Sequence, residues 1–221
     1  MDNYRYTIGR LRGSVDYYDI LMKMADAKDL QSAFMALSEI GVVEQTGGFD
    51  IELIVKKIEG EFFAMIEKLL PNSLEVKNLI SFLRGKSNIE TLTMKTYMGK
   101  KFVESIKVFN FIVGMTKKER ADTAHIITKF KFSDFALPVE KGIDQFKKNQ
   151  TLFALEKEFD NYIIKIAKRE HFAPDGASPV VAFLILKYYE MKSLKMILES
   201  KKIGLNSHDI KDRVRGQQNG K

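Results

Sequence analysis

The chain has 221 residues, 45% of them hydrophobic, with 36 Lys and Arg against 29 Asp and Glu for a formal net charge of +7. That length suits one large domain or two small ones with a sizeable core, and the lack of cysteine excludes disulfides, thiolate zinc sites and a cysteine nucleophile. Acids and bases cancel over residues 1–110, so the whole excess falls in residues 111–221 and points to an anionic partner or acidic neighbour at one end of the molecule.

The N-terminal segment Met1–Arg10 is polar and lacks the apolar centre of a signal peptide. Asp29 precedes a short apolar stripe, Leu30, Ala33, Phe34 and Leu37, which Gly41 can stop. Gly47-Gly48 then leads to a longer helix that Asp50 can cap and Pro71 ends. Its buried face is Ile51, Ile54, Val55, Ile58, Phe62, Met65, Ile66 and Leu69, spaced as one side of a 3.6-residue period. Thr116-x-x-Glu119 is a capping box, in which hydroxyl and carboxylate satisfy each other's orphan backbone N–H groups. Lys129–Pro138 is ambiguous: alternating Lys and Phe fits a strand, but the helical surroundings favour a loop with its aromatics folded inward. Thr151 can cap a helix with the stripe Leu152, Leu155, Phe159, Tyr162, Ile163 and Ile166. Ser178-Pro179 places a capping hydroxyl before a proline at the first helical position, opening a long helix that runs to about Lys202 and stops at Gly204. Ser207 starts a last short helix through Val214, and Gly216–Lys221 is a frayed tail. The loops are Glu44–Phe49, Gly85–Asn88 and His171–Ser178. Strand alternation and hairpin turns give no convincing signal, so the predicted class is all-α with about nine or ten helices.

Two parts of the chain resemble each other. Aligning Ile51 with Leu152 places Ile54 on Leu155, Ile58 on Phe159, Phe62 on Ile163 and Met65 on Ile166. Any two amphipathic helices can be aligned in this way, but the segment after each stripe is more specific. Leu74-Glu75-Val76-Lys77-Asn78-Leu79 matches Tyr189-Glu190-Met191-Lys192-Ser193-Leu194, and each leads to an apolar pair, Phe82-Leu83 or Ile197-Leu198. Arg84 and Lys86 close the first copy, Lys201 and Lys202 the second, which carries the longer connection. Two copies of a helix pair fit a repeat-built helical protein.

The stretch from Ser178 to Arg215 resembles the end of the central-stalk subunit of rotary V/A-type ATPases, called C in prokaryotes and d in eukaryotes. Pro179, the Glu190-Met191-Lys192-Ser193-Leu194 core, Lys201-Lys202, Gly204-Leu205 and Arg213-Val214-Arg215 follow in that family's order. Residues 4–42, with spaced Tyr and Arg before a Leu/Ala-rich helix, are similar to the family's opening. Residues 49–86 resemble its next block, and residues 154–169 the helix before the C-terminal one. The resemblance covers roughly three-quarters of the chain and is weakest over Ser87–Phe130.

Family members are usually longer and built of three related helical lobes arranged as a funnel. The resemblance therefore implies a funnel-like architecture with one lobe absent or reduced. Its expected parts are an N-terminal lobe at 1–86, a shortened connection at 87–130 and a C-terminal lobe at 131–221. It further implies a non-catalytic rotor subunit, one copy per complex, that couples the rotating shaft to the membrane proteolipid ring for ion transport. The subunit would be cytoplasmic and peripheral to the membrane, without a transmembrane segment. The positions it marks are Glu75, Lys77, Asn78, Arg84 and Lys86 in the first copy. In the second they are Glu190, Lys192, Lys195, Lys201, Lys202, Arg213 and Arg215. Glu75/Lys77 and Glu190/Lys192 are two residues apart and do not face each other on a helix. Each charge is then available to a neighbouring helix, holding the lobes in register, or to the shaft or ring. The basic run from Lys187 to Arg215 reads as a solvated face or as a dock for an acidic partner.

Catalytic patterns are missing. Gly85-Lys86-Ser87 has Ile80 where a phosphate loop needs glycine, and Gly99-Lys100 has Met94 there, so both read as helix ends. His125, His171 and His208 are too far apart for a local zinc motif, His125 and His208 read as surface or partly buried side chains, and the carboxylates fall among Lys and Arg as solvated helix faces. No metal, cofactor or catalytic residue is expected. The longest apolar run, Val180–Leu186, is far short of the ~20 residues that span a bilayer, which suggests a soluble intracellular protein. Two rivals are a basic helical nucleic-acid-binding module, against which stand the interspersed acids and the lack of a recognition motif, and an unrelated helical scaffold.

Overall fold

The computed structural model describes residues 18–39, 50–69, 136–151, 153–173 and 178–216. They form seven helices: α1 Tyr18–Asp26, α2 Leu30–Ser38, α3 Ile51–Leu69, α4 Ala136–Asn149, α5 Phe153–His171, α6 Ser178–Lys202 and α7 Ser207–Arg213. The fold is all-α, as the periodicity indicates. None of these helices is long and apolar enough to cross a membrane. Met1–Tyr17, the loops at 44–49 and 85–88, the Thr116/Glu119 capping box, both Gly-Lys pairs and His125 lie outside the described residues, as does the first repeat copy from Leu74 to Lys86.

Local chemistry sets the helix ends. Asp29 is extended (φ −145, ψ 177), and its Oδ1 accepts the Ser32 N–H at 2.8 Å, capping α2. Asp50 does the same for α3, accepting from the N–H of Glu52 at 2.9 Å and of Leu53 at 3.2 Å. At α7 the cap is Asn206, whose Oδ1 accepts the Asp209 N–H at 2.9 Å; Ser207 is the first helical residue. The end of α6 is a Schellman motif. The Leu205 N–H donates to the Ser200 carbonyl at 3.0 Å and the Gly204 N–H to that of Lys201 at 3.1 Å, with Gly204 left-handed at φ +76. Chain direction reverses there, and α7 folds back under α6.

The helix α4 begins earlier than the sequence suggests. Ala136, Leu137 and Pro138, expected to close a loop, form its first turn. Proline is tolerated there because the first N–H groups of a helix have no intrahelical acceptor. The stripe Val139, Ile143 and Phe146, all buried, supplies the apolar face that draws the segment into a helix. That face meets α5 so closely at Gly142 that a Cβ there would stand 2.7 Å from the Leu155 Cα.

Helices α5 and α6 run antiparallel. Near one end the His171 Nδ1 lies 3.5 Å from the Pro179 carbonyl oxygen, with its ring stacked on Phe183; further along, Asp160 pairs with Lys192. Residues Pro179–Ile185 are all buried, so the first two turns of α6 are enclosed on every side. Beyond them only one stripe is buried, and Leu194, Ile197 and Leu198 join a core with Leu21, Met24, Phe34, Leu37, Ile51, Ile54 and Val55 of α1–α3 and with Ile210 and Val214. The first and last parts of the chain therefore share one core, and burial of apolar side chains, at about 1.5–3 kcal/mol each, holds them together.

Candidate functional site

The most polar constellation inside the described residues is centred on Asp160 of α5, only 8% exposed. Its Oδ2 accepts from the Lys192 Nζ of α6 at 2.9 Å and from the Arg215 Nε, beyond α7, at 3.1 Å. Tyr189 adds a side-chain hydrogen bond; burial, and then the Asp160 charge, push its hydroxyl well above the usual tyrosine range. One carboxylate thus faces two cations and a neutral phenol. Desolvating the carboxylate is costly, and two charge-assisted hydrogen bonds offset it only while both cations stay in place. The Arg215 guanidinium lies 4.9 Å from the centroid of the Phe153 ring, with that of Arg213 at 5.5 Å.

A second polar junction sits at the other end of α6. Lys201 is 8% exposed, and its Nζ donates to the Ala27 carbonyl just past α1 and to the Ser207 Oγ at 3.4 Å. Burial lowers its pKa from 10.5, opposed by the nearby Asp26 and Asp29. Beside it, Lys211 of α7 pairs with Asp26 of α1 at 2.5 Å.

These two junctions divide the marked residues. Lys192 and Arg215 meet at Asp160, Lys201 is buried at the junction of α1, α6 and α7, and Arg213 lies over Phe153. Glu190 pairs with Lys187 on its own helix at 2.7 Å. Lys195 and Lys202 are exposed. Glu75, Lys77, Asn78, Arg84 and Lys86 lie outside the described residues. The basic run is therefore not one solvated face, because the helical period turns Lys192 and Lys201 toward neighbouring segments and Lys195 and Lys202 away from them.

Asp160 and Tyr189 are the residues that sequence reasoning missed. A carboxylate beside Phe159 within the stripe Leu155, Phe159, Ile163 and Ile166 was the available signal, since the helical period puts Asp160 next to that buried face. Among the described residues, no group of three His, Asp or Glu side chains could hold a metal ion.

Residues 49–213, from the start of α3 to the end of α7, match the model of the ATP synthase (C/AC39) subunit family. The chain belongs to that family. It is 23% identical over 203 residues to the C subunit of the A-type ATP synthase of Methanocaldococcus jannaschii, an alignment covering 73% of this chain and 51% of the relative. The chain thus spans about half the length of that curated relative. No solved structure matches it. Every described ionic contact assembled around Asp160 and Lys201 falls within the matched region or within a few residues of it, apart from those to α1.

Proposed function

We propose that the chain is a non-catalytic central-stalk subunit of a V/A-type ATP synthase or ATPase, coupling a rotating shaft to a membrane proteolipid ring. The observation that carries this reading is the family match across residues 49–213. In this reading one copy sits at the cytoplasmic side of the ring as a peripheral subunit, and residues 1–86 and 131–221 act as two helical lobes joined through 87–130. Torque has to cross a body that deforms little. A close-packed interior transmits strain, and α6, whose buried side chains meet α1–α3 at one end and α5 along the other, suits that task.

Contact with acidic surfaces of the partners falls to Lys195 and Lys202, exposed on α6, together with Lys77, Arg84 and Lys86, and Glu75 and Asn78 meet basic or polar groups there. Electrostatic complementarity at such a surface sets register and association rate more than affinity. The nucleic-acid reading has less support, because Lys192, Lys201, Lys211 and Arg215 are engaged with acceptors within the chain.

Purification of the tagged chain from native membranes tests the assignment. Shaft and ring subunits are expected to travel with it at one copy of the chain per complex. A complex of shaft and ring that purifies without the chain overturns the rotor role. Charge reversal of Lys195 and Lys202 together is expected to lower recovery of the complex while the helical circular dichroism stays unchanged. Full recovery removes those two residues from the contact surface.

A further inference from the structure

One face of α5 carries Phe153, Lys157, Asp160, Asn161 and Ile164, the spacing that keeps side chains on one side of a helix. Each of the five meets the chain beyond α6. Lys157 donates to the Asp212 carbonyl oxygen and to its Oδ1 at 2.9 Å. Asp160 holds Arg215, Asn161 accepts the Gly216 N–H at 2.8 Å, and the side chain of Ile164 lies against Gly216. Phe153 lies under both guanidinium groups. On its other side the same segment belongs to the α1 end of the molecule. Ile210 and Val214 are fully buried in the core with Leu21, Met24 and Ala25, Lys211 pairs with Asp26, and Ser207 shares Lys201 with the Ala27 carbonyl.

The geometry points to residues 205–216 as a strap that fastens the α1 end of the core to α5, with Asp160 as its anchor. The helix α6 alone would join these two groups only along its own length, leaving them free to rock about it. The strap closes the third side. Its fastening is short-range, and at its anchor the Arg215–Asp160 pair is buried on both sides, so salt screens that pair less than surface ion pairs. Asp160 also receives Lys192, so one carboxylate fixes the strap to α5 and α5 to α6 at a single point. This inference rests on contacts within the chain and stands apart from the rotor assignment.

The test uses the full chain and two variants, Asp160→Asn and Asn161→Ala. The first removes the charge at nearly constant shape; the second removes only the bond to the Gly216 N–H. Backbone hydrogen exchange is read at Ile210, Val214 and Gly216 of the strap, at Met24 and Ala27 of α1, and at Ile143 and Phe146 of α4. Tryptic cleavage after Arg213 and Arg215 gives a second reading of strap opening. In Asp160→Asn, exchange and cleavage in the strap are expected to rise by about tenfold or more, because the buried Arg215 loses its counterion and the half-exposed Lys192 loses its partner. Exchange at Met24 and Ala27 rises with them, while Ile143 and Phe146 keep their protection. Asn161→Ala gives the same pattern at smaller amplitude, and it decides the matter if Asp160→Asn does not fold. Strap exchange within about twofold of the parent in a folded variant overturns the proposal. So does a loosened strap that leaves α1 unchanged, since the segment would then be a tail lying on α5 and not a fastening between two groups.

Discussion

Alanine at Gly142 and at Gly60 is the same chemical change in two helices, yet the structure gives the two substitutions opposite signs. Gly60 lies on the exposed side of α3, and a Cβ there would meet nothing within 4 Å. Removing backbone freedom from the unfolded chain should therefore stabilise Gly60→Ala by about 0.8–1.0 kcal/mol. A Cβ at Gly142 would strike the Leu155 Cδ1 and stand 2.7 Å from its Cα and 2.8 Å from its Cβ. The Cδ1 could swing aside, but the Cα is backbone of α5, so α4 and α5 have to part. Forcing an extra methyl into such a contact costs about 1–3 kcal/mol. The propensity gain is common to both variants and cancels in their difference, which isolates the packing cost. The two should differ by about 1–3 kcal/mol, with Gly60→Ala above the parent and Gly142→Ala at or below it. At roughly 2–4 °C per kcal/mol for a chain of this size, thermal midpoints followed by circular dichroism resolve the gap. Urea titration checks that the slope, and hence the surface exposed on unfolding, stays constant. If Gly142→Ala gains as much stability as Gly60→Ala, the close approach of α4 to α5 is wrong.

At Gly204 the space is open and only the backbone objects: with φ at +76, Gly204→Ala should cost about 1–2 kcal/mol in urea unfolding, and a neutral result would remove the Schellman end of α6. Ile197 is fully buried between α6 and the N-terminal helices. Truncation to alanine should cost about 2–5 kcal/mol and raise hydrogen exchange in α1 and α2; loss confined to α6 would contradict the shared core. The N–H of Ser32 donates to Asp29 and holds its carboxyl below the ordinary value of 3.8. Folding thus gains from the ionised form, in full above pH 3.8, and loses that gain as pH falls through the lower folded value. Asp29→Asn keeps a capping side chain and should flatten this part of the acid limb of stability; an unchanged limb, read by urea midpoints against pH, would place the titration elsewhere.

Helix positions were legible because capping and periodicity act over a few residues. Asp29 and Asp50 cap where expected, α6 ends at Lys202 with Gly204 beyond it, and the stripe Leu155, Phe159, Ile163 is buried as its spacing indicates. The start of α4 was misplaced because Lys129–Pro138 reads as a loop closed by Pro138, whereas a first helical turn accepts that proline without loss. Charge roles were far less legible. Lys192, Lys195, Lys201 and Lys202 look alike in sequence, and a spacing of three or four residues says only that some share a face. The group opposite each face depends on segments distant in the chain, such as Asp160 for Lys192 and Ala27 for Lys201.

By itself the sequence determined an all-α class, most limits of the described helices and, through motif order, the ATP synthase (C/AC39) subunit family. Its +7 charge, concentrated in the second half, suggested a basic face for a partner. Only the tertiary structure decided that several of those cations turn inward, that Asp160 gathers two of them, and that the last helix lies between the first helix and α5. The reason is one of range. Capping and helical periodicity are set by neighbours within a few residues, whereas burying a charge depends on whether long-range packing brings it a counterion, and no local pattern encodes that distance.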